Sequence, residues 1–297
     1  MYDRILVPLD GSEASEVALR FVRHLTCRSV RLLRVEPPII GVEPAVRDRF
    51  AARVRHELEG VMGQLQELGK AGEIELEVRF GDASEEIIAS AADADLVAMA
   101  THGRGAAGRL IFGSTADRVA RHGTTPTLLI RHEVAEDGPI TPNRVMVPLD
   151  GSELAEVALP EAEKLAMVLD APILLVRAVG VDDVLATIRA DRARAGDLSR
   201  ASEGDDDYEA ARLKTERTAA EYLDTTAAAL RERGLTIATD VLKGTPAFVL
   251  LWKIEATDVV VMTTRGLGGY RRWLLGGVTE KLVREAAGPI LLVRGKT

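Results

Sequence analysis

Cysteine and aromatic side chains are scarce in this chain: one cysteine, Cys27, in 297 residues, with aromatics at 4%. A lone thiol excludes an intramolecular disulfide and any metal site built from several cysteines. Cys27 itself reads as a packing residue rather than a nucleophile. With so few rings, the cores have to be built from Val, Leu, Ile and Ala. Long apolar runs are missing too, and none approaches the ~18 residues that a membrane-spanning helix requires. The amino terminus, MYDRILVPLD, leads straight into an apolar strand, without the basic stretch, apolar stretch and cleavage site of a secretory leader. A cytoplasmic location with no membrane partner is the expectation. Positive charge is not in excess either, the formal net charge being −8. An acidic surface repels phosphate backbones, which argues against nucleic acid as a partner and leaves room only for a local basic pocket. No G-x-x-x-x-G-K-[ST] loop occurs, so the chain is not a P-loop nucleotidase.

What the chain does contain, it contains twice. RILVPLDGSEASEVAL (4–19) returns as RVMVPLDGSELAEVAL (144–159). LVAMATHGRG (96–105) returns as VVVMTTRGLG (259–268), and TPTLLIR (125–131) as GPILLVR (288–294). Order and spacing are kept, which marks a duplicated domain. Between the copies, HEVAEDGPITPN (132–143) is charged and carries Gly138, Pro139 and Pro142, the composition of a linker. The expected division is a domain at 1–133, a linker at 134–141 and a second domain at 142–297.

Each copy alternates strand and helix. In the first, strands are expected at 4–9, 30–35, 73–80, 95–100 and 127–131, and helices at 12–25, 46–68, 84–92 and 108–122. The in-and-out alternation of 73–80 places that strand near a sheet edge. The second copy follows with strands near 144–149, 173–178, 236–242, 258–263 and 289–294. Strands separated by helices predict an α/β fold, a parallel sheet covered on both faces with right-handed crossovers. One segment, 180–209, is longer than its counterpart and dense in both charges, and reads as a mobile loop with some helix. After it, Tyr208, Ala211, Thr215, Ala219, Tyr222, Thr226 and Leu230 keep helical spacing up to a stop at Gly234.

Open parallel sheets bind ligands at the carboxyl ends of strands where the winding reverses. The best-repeated segments follow strand one (VPLDGSE) and strand four (THGRG and TTRGLGG), so two signals converge on one crevice. Pro8 ends the first strand, and Asp10 emerges at its mouth with Gly11 and Ser12 opening a helix. Asp10 and Ser12 either shape that turn and cap the helix or present a carboxylate to a ligand's hydroxyls; local chemistry leaves both open. After strand four, Gly103 lets the chain turn sharply and aim backbone N–H groups inward, and Gly113-Ser114 offers a bare backbone and a hydroxyl to a phosphate. Arg104 and Arg109 stand near enough in sequence to add positive charge, and His102 reads as a turn residue before it reads as a catalyst. Gly103, Gly105 and Gly108 also spell G-x-G-x-x-G. That dinucleotide fingerprint belongs after the first strand with an acidic residue further on, and neither condition holds here. The second copy lacks it, with Arg271 at the position of its last glycine.

The duplicated VPLDGSE, together with a glycine, nine residues and Gly113-Ser114, resembles the universal stress protein family in its tandem form, across nearly the whole chain. The resemblance implies two tandem doubly wound domains, each a five-stranded parallel sheet of order 3-2-1-4-5 flanked by helices. It also implies ATP in the strand-one/strand-four crevice, with or without Mg²⁺, or AMP or ADP in its place. In site one, Pro8 and Asp10 would border base and ribose, Val35 the adenine, and Gly103, Gly113 and Ser114 the phosphates. Ala100 stands where the family's motif opens with glycine, a cost on the order of 1 kcal/mol if that backbone needs a positive φ. In site two, Pro148, Asp150, Gly266 and Gly276 match and Ala178 takes the place of Val35. Thr263 replaces the opening glycine, and Gly277 replaces the serine. Arg265, Arg271 and Arg272 are candidates for compensating contacts. The last strands of the two domains would face each other, making the chain a pseudo-dimer, with a homodimer as a further assembly. The implied role is stress response by a binding and regulatory protein with at most slow ATP hydrolysis. A nucleotide-free interaction protein of the same fold is the alternative.

Overall fold

The computed structural model describes residues 1–38, 41, 43–66, 71–101, 113–131, 141–195, 205–264 and 276–295. In the first half the order is β1 (Tyr2–Pro8), α1 (Glu13–Val22), β2 (Cys27–Glu36), α2 (Pro44–Gln66), β3 (Ala71–Phe80), α3 (Ala83–Ser90), β4 (Leu96–Ala100), α4 (Ser114–His122) and β5 (Thr127–Ile130). The second half runs β6 (Arg144–Pro148), α5 (Glu153–Glu156), α6 (Leu159–Leu169), β7 (Ile173–Val179), α7 (Val181–Ala195) and α8 (Asp205–Arg231). It ends with β8 (Ile237–Lys243), α9 (Pro246–Lys253), β9 (Asp258–Thr264), α10 (Gly277–Glu285) and β10 (Ile290–Arg294). No helix among the described residues is long and apolar enough to cross a membrane.

Local sequence accounts for the helix starts. Ser12 and Ser152 cap α1 and α5 by accepting from the backbone N–H of Ser15 and Ala155. Asp82 caps α3, its carboxylate accepting from the N–H groups of Ser84 and Glu85. These caps satisfy donors that the first helical turn leaves without partners. Pro160 sits in the first turn of α6, where a missing N–H costs nothing.

The strands form one ten-stranded sheet, β3-β2-β1-β4-β5-β10-β9-β6-β7-β8. Each half is therefore a doubly wound five-stranded sheet of order 3-2-1-4-5, parallel within itself. The alternating strand β3 lies at one outer edge, as its pattern predicts, and β8 at the other. Apolar packing covers both faces. One cluster joins the sheet to α1, α2, α6 and α8 through Val17, Phe21, Leu58, Leu165 and Leu223. The other joins it to α3, α4, α9 and α10 through Ile87, Val119, Leu250 and Leu282. Both clusters run through both halves. Cys27 is buried at the start of β2, and burial pushes its thiol pKa up, which keeps it in the unreactive form.

The segment 180–209 is expected as a mobile loop with some helix, and it holds more helix than that, although 196–204 lie outside the described residues. Residues 181–195 form the helix α7, and α8 begins at Asp205, ahead of the expected Tyr208. Val184 and Ile188, one helical turn apart, pack with Val179 against Ala211 and Ala219 of α8 in a third apolar cluster. Thr187 and Thr215 share a hydrogen bond of 2.8 Å, and Lys214 meets both oxygens of Asp191 at 2.6 and 2.7 Å. The dense charge conceals a narrow apolar stripe that a partner helix is enough to bury. The stop is as expected: Gly234 follows α8 with a φ of +86°.

The halves meet where β5 pairs antiparallel with β10, Leu128 opposite Leu291. The arginine that ends each repeated LLxR segment reaches across this junction. Arg131 donates to the carbonyl of Ala286 at the end of α10 (3.1 Å), and Arg294 to those of His122 and Gly123 at the end of α4 (3.2 and 3.1 Å). Each cation thus meets the negative end of the other half's last helix. A second bridge is built from unlike parts. The Tyr2 hydroxyl donates to Glu161 of α6 at 2.8 Å, the Lys164 ammonium sits 4.1 Å from the Tyr2 ring centre, and Asp95 lies 3.9 Å from it. Burial pushes the Glu161 carboxyl above its ordinary range, although the Tyr2 hydrogen bond and Lys164 pull the other way.

Two outcomes follow from this junction. Arg131→Ala and Arg294→Ala should each lower unfolding stability by about 1 kcal/mol, since each loses hydrogen bonds from a charged donor; urea titration measures it. Glu161 gives a pH signature. Just above the ordinary carboxyl range the folded chain keeps a proton on Glu161 that the unfolded chain has released. Stability in that window therefore falls as pH rises, until the folded-state carboxyl ionises too. Glu161→Gln retains an acceptor for Tyr2 and has no proton to lose, so its urea midpoint should decline less there than the parent's. Parallel pH profiles for the two chains would reject the assignment.

Candidate functional site

The first strand ends where its sequence says it must. Pro8 is its last residue and is buried; Leu9 then donates its N–H to the Leu33 carbonyl at 2.8 Å, holding the loop against β2. Asp10 Oδ1 accepts from the backbone N–H of Ser12 (2.9 Å) and from its hydroxyl (2.5 Å). Gly11 sits between them at a φ of +78°, a conformation that only glycine adopts without strain. The carboxylate of Asp10 therefore shapes the turn, and it does so while partly exposed at the carboxyl end of the sheet.

Strand β4 is the neighbour of β1, with Leu6 opposite Val97. Ala100 ends it, buried and paired with Ile130, and Thr101 donates its N–H to the Ile130 carbonyl at 2.9 Å. Gly113 returns to the same place, donating to the Thr101 carbonyl at 2.8 Å, and caps α4 without any side-chain hydrogen bond. Ser114, the first residue of α4, is exposed. The helix thus opens with bare backbone amides and a hydroxyl next to the strand-four end, an arrangement suited to an anion. Val35, near the end of β2, is half-buried and packs on the α3/α4 face of the core. Pro8, Asp10, Val35, Ala100, Gly113 and Ser114 therefore gather at the carboxyl ends of three adjacent strands. Gly103 lies outside the described residues, as do His102, Arg104, Gly105, Gly108 and Arg109.

The second half repeats the construction. Pro148 ends β6, and Asp150 Oδ1 accepts from the Ser152 N–H (2.9 Å) and hydroxyl (2.6 Å) around Gly151 at a φ of +85°. Ala178 stands half-buried near the end of β7, and Gly276 caps α10 with no side-chain bond, leaving Gly277 exposed as its first residue. Gly266, Arg265, Arg271 and Arg272 lie outside the described residues. The condition attached to Ala100, a positive φ, is not met there or at Thr263. Both are ordinary strand residues, and among the described residues only Asp170 of the non-glycines has a positive φ. Among the described residues no three His, Cys, Asp or Glu side chains come together as a metal-binding group.

Sequence reasoning passed over one residue in each half. Arg34 and Arg177 immediately precede Val35 and Ala178, and their guanidinium groups lie against the glycine turns. A Cβ at Gly11 would come within 2.4 Å of Arg34, and one at Gly151 within 2.9 Å of Arg177. The available signal was the arginine shared at this position by RLLRVE and LLVRAV, which an interior strand seldom carries.

Two doubly wound half-sheets, each with an Asp-Gly-Ser turn after its first strand and a glycine-opened helix after its fourth, define a duplicated α/β protein with a crevice per half. The model of the universal stress protein family matches residues 1–131 and again 142–294, and the chain belongs to that family in its tandem, two-domain form. A universal stress protein of Mycolicibacterium smegmatis is 25% identical over 306 residues, spanning 98% of this chain and 96% of its own. Universal stress protein Rv2623 of Mycobacterium tuberculosis is 25% identical over 305 residues, with 98% and 96% covered. Among solved structures, a universal stress protein from Archaeoglobus fulgidus DSM 4304 superposes with a TM-score of 0.66 over 98% of each chain. At 18% identity it speaks for the fold alone.

Substituting the turn glycine tests this geometry. Gly11→Ala forces an L side chain into the left-handed region, at about 1–2 kcal/mol, and also drives its Cβ into Arg34. It should destabilise the chain by at least that amount in urea titration. Gly60→Ala, where a Cβ on α2 meets open space, should be neutral or stabilising.

Proposed function

We propose that the protein binds an adenine nucleotide, ATP with or without Mg²⁺, and serves in stress response as a binding and regulatory protein rather than a fast enzyme. The observation that carries this reading is the meeting of the Asp10 turn with the glycine-opened start of α4 on neighbouring strand ends. It pairs an acceptor for ribose hydroxyls with donors for phosphate. In this reading Pro8 and Asp10 border base and ribose, Val35 meets the adenine, and Gly113 and Ser114 bind phosphate with Gly103. In the same reading the domains are 1–133 and 142–297, joined through 134–141, and the β5–β10 pairing supports their acting as a pseudo-dimer with two sites.

Site two, with Pro148, Asp150, Ala178, Thr263, Gly266, Gly276 and Gly277, is the weaker. Gly277 lacks the hydroxyl that Ser114 offers, and losing a hydrogen bond to a charged phosphate lowers affinity about ten- to a hundred-fold.

Denaturing the purified protein and chromatographing what is released tests the reading. ATP or AMP near one equivalent, or a clear thermal shift on adding ATP, is the expected result; saturation at a hundred times Kd stabilises by about 2.7 kcal/mol. Recovery of none with no thermal shift points instead to a nucleotide-free interaction protein. In titrations Ser114→Ala should weaken the tighter site about tenfold or more, while Asp150→Ala leaves that site unchanged. Equal effects would reject the inequality of the sites. Rapid turnover abolished by Asp10→Asn would mark an enzyme.

A further inference from the structure

We propose that Arg34 and Arg177 are positioning residues of the two crevices, each bracing the glycine turn that presents Asp10 or Asp150 to the nucleotide. The inference rests on the nucleotide reading above and names groups that lie outside the crevice itself.

The placement is the same in both halves. Leu9 donates its N–H to the Leu33 carbonyl, and Leu149 to that of Val176, both at 2.8 Å. Arg34 and Arg177 are the next residues on β2 and β7. The guanidinium then folds beneath the turn. At Gly11 a Cβ would lie 2.4 and 2.5 Å from the two terminal nitrogens of Arg34 and 2.8 Å from Cζ. At Gly151 the nearest atoms are again those of the arginine, Cζ standing at 3.2 Å. Glycine at these positions therefore serves two ends: it adopts the left-handed conformation, and it leaves room for a planar cation against its Cα.

Arg34 is an unusual side chain to bury. Its exposure is 5%, and its Nε is buried with no hydrogen-bond partner. The terminal nitrogens face Glu36 at 3.7 Å and Glu57 of α2 at 3.9 Å, within ion-pair reach but beyond hydrogen-bond distance. The two carboxylates offset its charge, yet the buried Nε donates to neither. A desolvated guanidinium in this condition costs free energy that an apolar side chain of similar length would not. Stability alone gives no reason to keep it. A rigid cation under the turn gives one: it fixes the backbone from which the Asp10 carboxylate projects, and it places positive charge in a low-dielectric layer behind a polyanionic ligand.

The second half anchors its brace differently. Arg177 lies over the Tyr222 ring, 5.3 Å from its centre, and the Tyr222 hydroxyl donates to Glu156 Oε1 at 2.8 Å. Tyr222 belongs to α8, the long helix that packs on α7, and Glu156 to α5 just after the Asp150 turn. The turn of site two is thereby tied to the helical pair peculiar to that half.

The test is calorimetric titration of the full chain with ATP, for the parent, Arg34→Met, Arg34→Lys and Arg177→Met, alongside their nucleotide-free thermal midpoints. Arg34→Met keeps an unbranched, flexible side chain, somewhat shorter, without the charge or the planar fork. It should weaken the tighter site tenfold or more while the nucleotide-free midpoint holds or rises. Arg34→Lys restores the charge alone and should recover part of that loss; it also carries the test if Arg34→Met fails to fold. Arg177→Met should weaken only the second site. Parent-like affinity in Arg34→Met, or in Arg34→Lys where only that variant folds, overturns the bracing role while leaving the nucleotide reading intact. A parent chain that takes up no ATP overturns the nucleotide reading, and the bracing role with it.

Discussion

The antiparallel pairing of β5 with β10 is the contact on which the rest of the architecture depends. In an isolated half, the fifth strand would present a bare edge of N–H and C=O groups beside an apolar core. Here each fifth strand meets the other, and two half-sheets become one with its remaining edges at β3 and β8. Because the halves come from a duplicated sequence, the contact resembles the isologous interface of a two-fold dimer, in which each residue meets the counterpart of its partner. Arg131 and Arg294 obey that rule, each capping the other half's last helix. The sequence repeat TPTLLIR and GPILLVR is thus a junction motif as much as a core strand.

Tandem fusion also lets the copies diverge where a symmetric dimer could not. Tyr2 of the first half reaches Glu161 of the second, but Pro142, at the matching place in the second copy, has no hydroxyl with which to return the contact. There the base of β6 is held within its own half, Arg144 bonding both oxygens of the fully buried Asp258 at 2.7 and 2.8 Å. The α7–α8 pair is a larger divergence of the same kind, adding a third apolar cluster in the second half. The Asp-Gly-Ser turns and the junction strands are kept in both copies, while the strand-four ends, the helix α10 start and the α7–α8 region differ.

Much of this was legible in the residues because repetition reports on structure twice. The paired VPLDGSE segments gave the strand ends, the apolar runs gave the buried strands, and the alternation of 73–80 gave an edge. Three features escaped. The helix α7 is hidden because its charges outnumber the few apolar residues, Val184, Leu185 and Ile188, that make its stripe. Arg34 and Arg177 escaped because arginine in a strand is ordinarily read as a solvent-facing position, and only the fold shows that this one faces a glycine. The conditional cost at Ala100 fell away because β4, like β9 at Thr263, is ordinary extended strand where the motif's opening glycine would stand. In each case the missing information was which neighbour a side chain meets, and local pattern does not carry that.

The sheet topology further constrains how two crevices in one chain can communicate. Strands run parallel within each half and opposite between halves, so the carboxyl ends of β1 and β4 point away from those of β6 and β9. The crevices therefore open at opposite ends of the sheet, and no single small ligand can span them. Four strands, β4, β5, β10 and β9, separate the two first strands. What the sites do share is the apolar packing on both faces, which is continuous from one half into the other. Were a ligand to stabilise one half, this shared packing would be the route by which the other half felt it. Coupling in such a chain needs no contact between ligands and no rotation of domains. It would run through apolar packing that the two halves have in common.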